Sequence, residues 1–130
     1  MALTLENATR SAACDAVVDL LDAGSADGYV EIRTSGGTTL LVSIDFNDPA
    51  FGAAANGVAT VSVSPSAPSA TAAADGDAAV CRFYDSDDTL IMSGTVTATG
   101  GGGDITIADV TIASGATVTI TGGTVTMPAS

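Results

Sequence analysis

The chain has 130 residues, enough for one domain that holds a core without metal or disulfide staples, and 46% of them are hydrophobic, well above the disordered range. Fifteen acidic residues stand against three arginines, Arg10, Arg33 and Arg82, with no lysine and no histidine, for a net charge of −12. Phosphate backbones and anionic lipid repel such a surface, which argues against nucleic acid and membrane as partners.

Much of the apolar share is alanine, so the core leans on Val, Ile, Leu and three Phe. Thr4 or Asn7 can accept hydrogen bonds from first-turn amides and so cap a helix over about residues 5–22. Ala13, Val17, Leu20 and Leu21, with Cys14 and Val18 beside them, form an apolar stripe, and Arg10, Asp15, Asp19 and Asp22 fall mainly away from it. Gly24 offers the left-handed conformation that ends helices.

Tyr29 to Thr34 alternates as YVEIRT, Ser35-Gly36-Gly37-Thr38 supplies a turn, and a second strand follows from Thr39 to about Phe46, which together read as a hairpin. Asn47-Asp48-Pro49 stops the ladder, because proline lacks the amide donor. Phe51 anchors the next loop in the core, and the tight-turn pair Asn56-Gly57 introduces a strand from Val58 to Val63. Ser64 to Ala78 has no bulky side chain and is expected as an exposed, mobile loop or an irregular edge. Strands from Ala79 to Tyr84 and Thr89 to Thr97 flank the turn Asp85-Ser86-Asp87-Asp88, and Gly100 to Gly103 forms a joint.

From Gly103 to Met127 alternate residues are β-branched or apolar, which places Ile105, Ile107, Val110, Ile112, Val118, Ile120, Val125 and Met127 towards the core and Thr on the other face. Hairpins at Gly115 and Gly122-Gly123 divide this tract, and its irregular repeat of VTI, VTI and VTM is too short for a solenoid. The expected fold is a single domain over residues 1–130, mainly β: an antiparallel, jelly-roll-like β-sandwich of about eight short strands with one N-terminal α-helix.

Cys14 and Cys81 read as two small buried thiols, since MALTLENATR lacks a signal pattern and the spacing is not a disulfide framework. Two cysteines without histidine do not make a zinc set. Asp85 to Asp88 lack the loop length and terminal Glu of an EF-hand, and Asp and Ser are ordinary turn residues. Gly100 to Gly103 precede a strand and lack the lysine of a phosphate loop. Tyr29 and Tyr84, with no Trp, offer little stacking surface for a sugar cleft. The expectation is a non-enzymatic protein with no catalytic, cofactor-binding or metal residue and no cofactor. No stretch approaches the roughly 18 apolar residues of a membrane span, so synthesis in a cytoplasm is expected.

Three stretches, AACDAVVDLLDAGSADGYVEIRT, DFNDPAFGAAANGVAT and FYDSDDTLIMSGTVTATGGGGDITIADVTIASGATVTITGGTVTMPAS, span nearly the whole chain. Together they resemble a group of small virion structural proteins of tailed bacteriophages. Asp48-Pro49-Ala50-Phe51-Gly52 with Asn56-Gly57, and Thr124 to Pro128, carry the resemblance most specifically. It implies a head decoration or cement protein on the capsid surface of the virion. Its partners would be the major capsid protein lattice and copies of itself, as a homo-oligomer or network. A tail or neck component, or a glycan-binding surface appendage, are the alternatives.

Overall fold

A computed structural model describes residues 3–63 and 66–128, with 41% of residues in strands and one N-terminal helix, so the mainly β, sandwich-like expectation holds. Helix α1 (Asn7–Asp19) passes into a 3₁₀ turn at Leu20–Asp22. Cys14, Val18 and Leu21, one helical face at four- and three-residue spacing, are buried, whereas Leu20 is half exposed. Neither Thr4 nor Asn7 caps the helix. Glu6 occupies the cap position without a side-chain bond, and Asn7, already inside the first turn, accepts from Arg10 Nη1 at 3.0 Å instead. Gly24 is not left-handed; a Cβ there would collide with the Ser86 side chain.

The strands are β1 (Tyr29–Arg33), β2 (Leu40–Asp45), β3 (Val58–Thr60), β4 (Ser69–Thr71), β5 (Gly76–Asp77), β6 (Val80–Tyr84), β7 (Leu90–Ala98), β8 (Ile105–Ile107), β9 (Thr111–Ile112) and β10 (Thr117–Thr126). Hydrogen bonding orders the main sheet β2-β1-β6-β7-β8-β10-β3, with β4 also on β10, while β5 and β9 form a separate ribbon. The expected β1–β2 hairpin forms, pairing Tyr29 with Asp45 and Ile32 with Val42. Asn56 and Gly57 both take positive φ, 53° and 79°, and Ala55 and Val58 exchange backbone bonds across them, as the tight-turn pair requires. The ladder after this turn is shorter than expected: β3 stops at Thr60, and Val61 forms an isolated bridge to Phe51 and donates its N–H to Gly123 O at 2.8 Å.

The tract between Ser64 and Ala78, expected as a mobile loop or an irregular edge, carries the short strands β4 and β5, with Pro68, Ala72 and Ala78 buried; Ser64 and Pro65 lie outside the described residues. Its small side chains allow close backbone approach. Ala72 N–H donates to Ala116 O and Ala73 N–H to Leu41 O, each at 2.8 Å, so the segment after β4 ties β10 back to β2 and the sheet curls upon itself.

The C-terminal tract departs from hairpins. Gly115 does turn the chain, but β9 pairs with β5 and β10 with β4, so the two arms do not pair with each other. Gly122-Gly123 is no turn: β10 runs through it, with a bulge between Ile120 and Gly122. Ile105, Ile107, Ile112, Val118 and Ile120 are buried as expected, and Val110, Val125 and Met127 pack against the core from its margin.

Strands β7 and β8 pair in parallel, in register Val96 to Ile105 and Ala98 to Ile107, although only residues 99–104 connect them. Parallel neighbours usually need a crossover of a dozen residues or more. Here Gly100 and Gly102, at φ 87° and 83°, fold the chain straight back. Asp104 Oδ2 then accepts from Thr95 N–H at 2.9 Å, and Gly103 N–H donates to Thr97 Oγ1 at 2.9 Å. A Cβ on Gly94 would lie 2.6 Å from Asp104 Oδ2, and one on Gly103 would lie 2.9 Å from Thr97 N. The glycines serve close approach.

Gly28 is the tightest backbone crossing, since a Cβ there would sit 2.5 Å from Leu21 O and 2.9 Å from Tyr84 O, both main-chain atoms. Gly28→Ala is expected to cost about 2–4 kcal/mol, against about 1 kcal/mol for Gly115→Ala, where a Cβ meets open space and only φ is strained. Urea denaturation of the two variants beside the parent checks the ranking.

Candidate functional site

The acidic turn builds itself. Asp85 Oδ1 accepts from Asp87 N–H and Thr89 N–H at 2.9 Å each, while Asp88, at φ 65°, accepts the Tyr29 hydroxyl at 2.7 Å. Among the described residues no three His, Cys, Asp or Glu side chains are arranged to hold a metal ion. The two concavities best defined are small, about 210 Å³ beside β9 and the start of β10 and about 140 Å³ between β7 and the end of β10. Each contains one carboxylate, Asp109 and Asp104 respectively. Both serve the backbone: Asp109 Oδ1 accepts from Thr111 N–H at 2.9 Å, and Asp104 holds Thr95.

Polar chemistry is concentrated on surfaces. On one sheet face Thr121 Oγ1 lies 2.7 Å from Thr99 Oγ1 and 3.0 Å from Thr106 Oγ1, so hydroxyls link across β8 and β10 to the end of β7. Strand β2 has β1 as its ladder partner and faces β4 on its other side, where the Leu41 carbonyl takes Ala73; the Ser43 and Asp45 side chains are exposed. On the outer side of β1 and β6, Tyr29 and Tyr84 stack with centroids 5.1 Å apart and planes 13° apart. Beside them Arg33 makes an ion pair with Glu31 at 2.9 Å.

Asp15 and Asp22, read from periodicity as lying away from the apolar stripe, hold with Ser11 the segment that carries the DPAFG motif. Asp22 Oδ1 accepts from Ala50 N–H at 3.0 Å, Asp15 Oδ1 from Ala54 N–H at 2.7 Å and Ser11 Oγ from Gly57 N–H at 3.0 Å. Arg10 Nε donates to Met127 O at 2.9 Å, which ties the helix to the end of the chain. Nothing local in the sequence marks these long-range bonds. Within the motif Ala50 and Phe51 are buried, and Phe51 packs on Phe46 and Phe83 at 5.7 and 6.3 Å, so its anchoring role is confirmed.

No described helix is long and apolar enough to cross a membrane. Comparison with protein-family models, curated proteins and solved structures finds no match to this chain.

Cys14 and Cys81 are buried free thiols, as the sequence predicts. Burial, helped by the nearby Asp104 carboxylate, pushes the Cys81 thiol up to about 12. At pH 8 roughly one Cys81 in ten thousand is thiolate, so an Ellman titration of the folded protein is expected to leave it unmodified until denaturant is added.

Burial, then repulsion from Asp48, Asp19 and Asp27, raises Asp22 above the ordinary 3.8, against the lowering effect of its bond from Ala50. A carboxyl raised in the folded state is least unfavourable when protonated, so its penalty is full at neutral pH and fades as pH falls through its folded pKa. Asp22→Asn keeps an acceptor oxygen and removes the charge. Its melting temperature should exceed the parent's at pH 7, and the two should converge below pH 3.8, as thermal melts at several pH values would reveal.

Proposed function

We propose that this chain is a non-enzymatic structural protein of a tailed-bacteriophage virion. It acts as a decoration or cement protein that binds the major capsid protein lattice on the outer surface of the head and stabilises the shell. The observation that carries the reading is the hydroxylated sheet face of Thr99, Thr106 and Thr121, held on a curled, cross-tied sheet. Flat hydroxylated faces suit side-chain packing against a repeated partner. A lattice presents its site many times, so modest affinity per contact suffices once neighbouring copies also touch.

The likeness of DPAFG and of the C-terminal T-x-T-x-P pattern to virion proteins adds to this. In this chain those segments belong to the frame, since Phe51 fills the core and Met127 N–H donates to Gly57 O at 2.7 Å, joining the tail of the chain to the tight turn.

Particles assembled without this protein are expected to rupture at a lower temperature than complete ones, and adding the purified protein should restore the difference. Dye access to packaged DNA during heating reads this directly. Unchanged rupture removes the cement role, and density for the chain on the tail in an electron-microscopy map of the particle overturns the head placement.

A further inference from the structure

We infer that two copies of this chain pair through the outer face of β1 and β6, about a two-fold axis at the Tyr29–Tyr84 stack. The arginine end of each face then meets the acidic turn of the other. The inference deepens the self-association part of the function proposed above.

Register and burial define the face. Val30, Ile32, Cys81 and Phe83 are buried, so the alternate residues Tyr29, Glu31 and Arg33 on β1 and Arg82 and Tyr84 on β6 share the outer side. Tyr29 stands opposite Tyr84, Glu31 opposite Arg82 and Arg33 opposite Val80. This one face gathers both tyrosines of the chain and two of its three arginines. Leu90, 50% exposed, borders it as the β7 partner of Tyr84. Tyr and Arg are the residue types enriched at the centres of protein interfaces.

Charge runs along the strands. Arg33 and Arg82 lie at one end, the Asp85–Asp88 turn at the other, and the tyrosine pair between them. Arg33 already binds Glu31 through Nε and Nη2 at 3.0 and 2.9 Å. Arg82 lies against Gly37 and, among the described residues, has neither a hydrogen bond nor an ion pair. An unpaired guanidinium in a chain of net charge −12 is one the fold has not used. At the acidic end Asp87 is exposed and only its backbone N–H is engaged, by Asp85.

A face that is basic at one end and acidic at the other is complementary to itself after half a turn. Two-fold pairing makes both charge contacts at once and sets the stacked tyrosines at the centre. Eleven of the fifteen acidic residues lie off this face and its turn, so acidic surfaces oppose one another in most other approaches, which favours a second copy in this orientation. Four strands by three residue rows cover roughly 19 by 14 Å, well under the ~800 Å² per partner of a stable interface, so the dimer is weak alone and gains through repetition.

Sedimentation equilibrium of the purified chain, at about 0.1 M and about 1 M salt, tests this with Arg82→Glu and Asp87→Lys. The parent is expected to dimerise at about 0.1 M salt, which screens the long-range repulsion of two chains of charge −12, and to dissociate at about 1 M, which screens the close charge contacts too. Each variant alone should show a dissociation constant raised about tenfold or more, and an equimolar mixture should return to within about threefold of the parent, because the heterodimer restores both contacts. Arg82→Gln and Asp87→Asn, milder at positions outside the core, should weaken pairing in the same direction if a reversed charge disturbs folding. A parent that stays monomeric at about 0.1 M salt up to about 1 mM, or dimers that both variants leave unchanged, would overturn the inference. That failure leaves the rupture test standing, and a negative rupture test leaves the dimer standing.

Discussion

The structure depends on β10 having partners along its whole length. Its first part pairs with β4 through Thr117–Thr119, its middle with β8 through Ile120–Gly123, and its last part with β3 through Thr124–Thr126. Because β4 leads through Ala73 to Leu41 of β2, one strand connects both ends of the sheet order and converts an open sheet into a curled one with an interior. Val118 and Ile120 then point into the same cluster as Leu41, Ile44 and Phe83, which no single hairpin could bury. Each such side chain, fully buried, contributes roughly 1.5–3 kcal/mol, so the closure that buries them decides whether the fold is stable.

Helix α1 is the lid on this arrangement, packed on β3 and β10. Its buried Cys14 donates to Val125 O at 3.2 Å, and its polar side chains take up backbone amides of the segment between β2 and β3. That segment has few amides in a regular ladder, and buried amides without partners are costly, so Asp15, Asp22 and Ser11 supply what a neighbouring strand would otherwise provide. The cost is visible at Asp22, where burial, and after it repulsion from neighbouring carboxylates, is tolerated while the side chain holds Ala50.

Local signals were legible wherever the physics is local. Asn56-Gly57, the alternation of YVEIR, the stripe of Cys14, Val18 and Leu21, and the inward set from Ile105 to Ile120 follow from backbone preference and side-chain period alone. What failed was partner choice. Gly122-Gly123 reads as a turn because glycine weakens strands, yet here it relieves crowding against Thr106 and Ile105 at a bulge in a continuous strand. The alanine-rich tract reads as a loop or an irregular edge because it has nothing large to bury; it forms strands because Ser69–Thr71 lies between β10 and β2, a fact of tertiary geometry. The parallel β7–β8 pair lay beyond periodicity, which fixes faces and leaves strand direction open. At the surface the sequence displayed the charges without their arrangement: register sets Glu31 opposite Arg82, yet the Glu31 carboxylate pairs with Arg33 of its own strand.

That register gives the acidic composition a second meaning beyond solubility. A chain of net charge −12 keeps its copies apart in most orientations, which acts against indiscriminate association. Specific association then needs a cation that the fold itself leaves unneutralised. Arg10 is taken by Met127 O and Asn7, and Arg33 by Glu31 and Gly37 O, which leaves Arg82. Repulsion everywhere with attraction at one place is how a weak contact becomes selective, since discrimination between orientations comes from the difference between them and not from the strength of either.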